Sequence, residues 1–88
     1  MILKLEGRTS ITPSDVAKVL EKIGKVINIT MDSYAVVEGK DIRLVAICEM
    51  VEDGLTNVKL YIADGETLEK ILSLKEILEL EIEEVGVE

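Results

Sequence analysis

The chain of 88 residues contains no His, Phe, Trp or Gln, a single Cys and a single Pro. Without His, the usual general base, metal ligand and triad partner are absent together. Cys48 has no imidazole to activate it and no second thiol with which to share a zinc or close a disulfide. Its neighbours Val45, Ala46 and Ile47 read as a buried strand. No apolar run approaches the ~20 residues of a membrane span, and the first residues do not have a signal-peptide shape. The six glycines stand singly, which excludes phosphate-loop and dinucleotide fingerprints. Neither Glu52-Asp53-Gly54 nor Asp64-Gly65-Glu66 carries the ligand ladder of a calcium loop, so both read as turns. No catalytic, cofactor or metal site is implied, and the expectation is a non-enzymatic protein of the cytoplasm.

What is present is aliphatic and acidic. Apolar residues make up 48% of the chain, enough for one core in a single domain spanning 1–88. Tyr34 and Tyr61 are its only aromatics. The wealth of Glu, Lys, Ile, Val and Leu resembles the composition of hyperthermophile proteins. Net charge is −8 and unevenly placed. Residues 1–44 balance to +1 and residues 45–88 to −9, and Glu76–Glu88 holds six Glu without a cation. A surface of this sign disfavours nucleic acid and anionic membranes, and the near absence of aromatics removes a stacking platform for bases. Lys18, Lys22 and Lys25 form a small basic stripe, but Glu21 interrupts it.

Periodicity supplies the elements. Ile2–Glu6 alternates as a half-buried strand. Thr12, Pro13 and Asp15 mark a helix start. Val16, Val19, Leu20 and Ile23 form one helical face, and Gly24 is the expected stop. Val26–Val37 is β-rich, either one strand bent at Asp32-Ser33 or two short ones. A loop at 38–41 leads into the most apolar strand, Ile42–Val51. The Asp53-Gly54 turn leads into a strand that includes Val58–Ala63. A second helix opens at Asp64-Gly65-Glu66. After it, Leu78, Leu80 and Ile82 alternate with Glu79, Glu81 and Glu83. A cation-free run of Glu is unfavourable at the negative end of a helix, so this segment reads as a strand.

The resulting order, β-α-β-β-β-α-β, resembles a split-βαβ, ferredoxin-like domain with one added strand. It implies an α+β two-layer sandwich with both helices on one face of an antiparallel sheet. In that arrangement the last strand lies beside the first, with Lys4 and Arg8 facing Glu79, Glu81 and Glu83. If Leu44, Ala46, Cys48 and Met50 face the helices, Val45 and Ile47 point to the open side. Tyr61 and Ala63 join them, and Tyr34 does so depending on the bend at Asp32-Ser33. An apolar centre ringed by Arg43, Glu49 and Lys59 has the anatomy of an interface.

The expectation is therefore an interaction module, a homodimer or a small acidic subunit of an intracellular complex. Val45, Ile47, Tyr61 and Tyr34 would be its anchors. Glu79, Glu81 and Glu83 would tune solubility or steer a basic protein. The alternative is a regulatory domain that binds a metabolite at a dimer interface through the turn from Gly7 to Thr12. A domain fold by itself carries neither function.

Overall fold

A computed structural model describes residues 2–88, apart from the side chain of Asp53. It comprises β1 (Leu3–Thr9), α1 (Pro13–Leu20), β2 (Lys25–Thr30), β3 (Ser33–Glu38), β4 (Asp41–Met50), a one-turn 3₁₀ segment (Glu52–Gly54), β5 (Thr56–Ile62), α2 (Gly65–Ser73) and β6 (Leu80–Val87). The six strands form one antiparallel sheet in the order β2-β3-β4-β5-β1-β6. The chain crosses from β1 to the far edge through α1, walks back along a four-strand meander, and reaches the other side of β1 through α2. This has one strand more than the expected β-α-β-β-β-α-β order. Asp32 closes a tight reversal, so Val26–Val37 pairs with itself rather than bending.

Local chemistry sets the element ends. Thr12 Oγ1 accepts the Asp15 amide at 3.3 Å, and Pro13 occupies the first helical turn, where no N–H is needed. The regular part of α1 stops at Leu20, earlier than Gly24, and turns carry the chain onward. Asp64 caps α2 by accepting the Thr67 amide at 2.8 Å. Gly39 and Gly54 take positive φ, which only glycine adopts at little steric cost, at the two reversals that flank β4. Glu79 also has positive φ (50°) and belongs to the turn before β6, not to the strand.

One core holds the molecule together. Leu5, Leu44, Ala46, Cys48, Val58, Leu60 and Ile62 line the inner face of the sheet. Val16 and Leu20 of α1 and Ile71 of α2 join the same cluster. Leu78 plugs it from the turn that precedes β6. Each fully buried aliphatic side chain stabilises the fold by about 1.5–3 kcal/mol relative to its exposed state. The helices are short, eight and nine residues, and depend on this packing. No helix among the described residues is long and apolar enough to cross a membrane.

Candidate interaction surface

Register fixes what the opposite face presents. Cross-strand partners in an antiparallel sheet point to the same side, so the pairings can be followed across the sheet as rows. One row runs Ile27–Ala35–Val45–Tyr61–Lys4–Gly86. The next runs Ser33–Ile47–Lys59–Glu6–Glu84, and a third runs Glu49–Asn57–Arg8–Glu81. Read down the strands, the face divides in two. The β2-β3-β4 side carries Ile27, Ala35, Val45 and Ile47, with Tyr61 at its border. The β5-β1-β6 side carries charge.

Ile27 is 44% exposed and Ile47 41%, which is high for aliphatic residues at the centre of strands. Val45 and Tyr61 are half-buried by their neighbours on the sheet. Ile2, Ile42, Val45, Tyr61 and Ala63 line a shallow depression of about 310 Å³ at one end of this region. Beside it, Arg43 bridges Asp64 at 3.1 Å and Glu38 at 3.5 Å, so its guanidinium is already engaged by two carboxylates. The Thr67 amide, and after it Arg43, hold the Asp64 carboxyl below its ordinary pKa.

Three of the expected anchors, Val45, Ile47 and Tyr61, lie on this face. Tyr34 does not. It pairs with Ala46 on the helix side, is 6% exposed and belongs to the core, with its hydroxyl directed to the Met31 carbonyl. The reversal at Asp32 sets the phase of β3 so that Ala35, not Tyr34, points outward. Burial, and after it the proximity of Cys48 and Asp32, raises the Tyr34 phenol pKa. Burial likewise lifts the Cys48 thiol to about 11, with Asp32 adding to the effect. Ile27 joins the face from β2, a strand whose outward side could not be assigned until its pairing was known.

The acidic segment is divided as well. Glu81 stands opposite Arg8, and Glu83, the extra residue of a bulge in β6, approaches the Arg8 Nε at 3.4 Å. Glu79 accepts from the Ser10 hydroxyl at 3.0 Å. Lys4 faces Gly86 rather than a carboxylate, and its nearest acid is Glu6 at 3.9 Å. Such exposed pairs contribute about 0–1 kcal/mol each. No group of three or more acidic or sulfur ligands is arranged to hold a metal among the described residues.

The turn from Gly7 to Thr12 is engaged internally. Thr9 donates to the Leu78 carbonyl and accepts the Ile11 amide, Thr56 donates to the Ile11 carbonyl, and Thr12 caps α1. No buried side-chain polar atom among the described residues lacks a partner. No protein-family model matches the chain, and neither a curated protein nor a solved structure matches it.

Proposed function

We infer that the protein is a non-enzymatic interaction module that docks a protein partner on the outer face of its sheet. Its anchors are Val45, Ile47 and Tyr61, extended by Ile27. The arrangement is read as ferredoxin-like, with two helices as one layer on the sheet. In this reading β6-β1-β5-β4 form the core order, and the β2-β3 hairpin is added at the β4 edge. The hairpin widens the apolar part of the face beyond what four strands would present. One observation carries the inference: the apolar residues on the helix-free side are contiguous across β2, β3 and β4, where charges such as Arg43 and Glu49 lie towards the strand ends, while Lys59 and Glu6 occupy the centres of β5 and β1. Isolated exposed aliphatic residues are ordinary, but a contiguous group with a charged border marks an interface.

The test is a double substitution, Val45→Lys with Ile47→Lys. Both side chains stand outside the core, so the variant should fold with a far-UV spectrum like that of the parent. It should lose whatever partner the parent retains from an extract of its own organism. Retention of the same partner by the folded variant would remove this face from consideration.

A further inference from the structure

The sheet has two free edges, β2 and β6, and they are built differently. An edge strand presents unpaired N–H and C=O groups to any strand that approaches, and proteins blunt such edges with charge, bulges or proline. On β6 this protection is plain. Glu81, Glu83 and Glu84 lie along it, and its register against β1 slips between Glu6 and Gly7. Two copies meeting there would set carboxylate against carboxylate. On β2 the only charge is Lys25, and the remaining sequence is Val-Ile-Asn-Ile-Thr. Ile27 is 44% exposed, Ile29 55% and the adjoining Met31 84%. The pairing with β3 is regular over Lys25–Asn28 and slips only at Ile29.

We propose that β2 is a self-pairing edge, at which a second copy of this chain adds its own β2 antiparallel about a two-fold axis at Asn28. The occupant is another copy because the strand is electrically complementary to itself. Lys25 begins it and Asp32 stands two residues past its end, so antiparallel pairing brings Lys25 of each copy to the Asp32 end of the other. The β2-β3 hairpin and its flanks, residues 25–40, carry two cations and two anions and are neutral. The chain's −8 therefore does not oppose contact at this edge. In the joined sheet of twelve strands the two β6 edges lie roughly 50 Å apart at ~4.8 Å per strand, far beyond the ~8 Å over which salt leaves charges interacting. The apolar halves of both outer faces become neighbours at the centre. A two-fold contact uses up β2 in both copies, so assembly stops at the dimer.

This proposal does not depend on the outer face being an interface, and sedimentation velocity of the full chain from about 1 µM to 1 mM separates the two. The parent should pass from monomer to dimer in this range, with little dependence on salt. Ile27→Glu with Ile29→Glu should weaken the dimer at least tenfold and keep the parent's far-UV spectrum. Val45→Lys with Ile47→Lys, two strands inside the edge, should leave dimerisation in place. Asn28→Cys should yield a disulfide-linked dimer on mild oxidation, because residues paired about the axis come within bonding range. Glu84→Cys on the opposite edge should not. A parent that stays monomeric throughout, assembly that continues past the dimer, a dimer indifferent to the two glutamates, or cross-linking at position 84 instead of 28 would each overturn the proposal. If the glutamate variant fails to fold, the cysteine pair decides.

Discussion

Two glycines that belong to the same strand pairing make a sharp test of the sheet. A Cβ added at Gly7 of β1 would sit 2.5 Å from the Glu81 carbonyl oxygen and 3.0 Å from Leu80 Cδ1, both on β6. Carbon and carbonyl oxygen pack no closer than about 3.3 Å, so the strands must part by roughly 0.8 Å at this point. Ladder hydrogen bonds near 2.9 Å would then pass 3.5 Å and cease to count. Losing about two of them, at ~0.5–1.5 kcal/mol each, and displacing the packed Leu80 gives Gly7→Ala a cost of about 2–4 kcal/mol. For a chain of this size the melting temperature should fall by roughly 10–25 °C. At Gly86, which lies opposite Lys4 in the same pairing, an added Cβ meets nothing within 4 Å and the φ is not positive. Gly86→Ala should therefore leave stability unchanged or raise it by up to about 1 kcal/mol through the unfolded chain. Calorimetry measures both, and amide exchange along 80–87 shows whether the Gly7 variant loosens β6 first. Equal melting temperatures for the two variants would mean that β6 does not lie against β1 in this register.

Ile71, fully buried and the main aliphatic anchor of α2, should cost about 2–5 kcal/mol as Ile71→Ala, read from the urea midpoint; a change below 1 kcal/mol would place α2 away from the core. Cys48, 2% exposed with its pKa raised to about 11, should resist thiol reagents in the native state at neutral pH. Its folded pKa lies above the unfolded value of ~8.5, so this group's contribution is intact below that pH and is lost as pH rises towards 11. Alkaline denaturation of the parent against Cys48→Ala reports it. Asp64 has the opposite sign. Its folded pKa is lowered, so its contribution is present above about pH 4, near the unfolded value, and disappears as pH falls through the folded pKa. Asp64→Asn keeps a capping oxygen and should flatten the acid limb of stability below about pH 4 without melting α2. An unchanged acid limb would show that the charge plays no part.

Much of this fold was legible because its local signals agree with its global pairing. Thr12-Pro13 started α1 where the periodicity placed it, and the alternation of Leu80 and Ile82 against Glu81 and Glu83 gave β6. The opposition of Val45 and Ile47 to Leu44, Ala46 and Cys48 followed from period two alone. The errors lie where phase depends on a partner strand. Val26–Val37 is β-rich on both sides, so nothing within it says which residues face out; that is decided by pairing with β4. Tyr34 was misplaced for this reason, and Ile27 was not recognised as part of the outer face. Slips of register at Ile29, Arg43 and Glu83 likewise have no local signature; the one at Glu83 brings Gly86 opposite Lys4, while Glu79 lies in the turn before β6.

The uneven charge seen at the outset has a structural counterpart. Sequence halves are not spatial halves here, because β1 from the near-neutral first half lies between β5 and the acidic β6. Arg8 and Lys4 are thereby delivered to the charged side of the outer face, where Arg8 meets two glutamates. The same topology leaves the β2-β3-β4 side with no charge in its central rows before Lys59 and Lys4. An apolar patch distributed over a uniformly acidic surface would repel any acidic partner, a second copy included. Segregation removes that barrier at one end of the sheet and retains solubility at the other. It follows that adding charge, rather than removing grease, should be the more selective way to test the proposed association. A single Ala35→Glu is unsuitable, since Ala35 is 4% exposed and its carboxylate would be buried. Ile27→Glu, at an exposed site in the same row, adds the charge without that penalty and changes the surface alone.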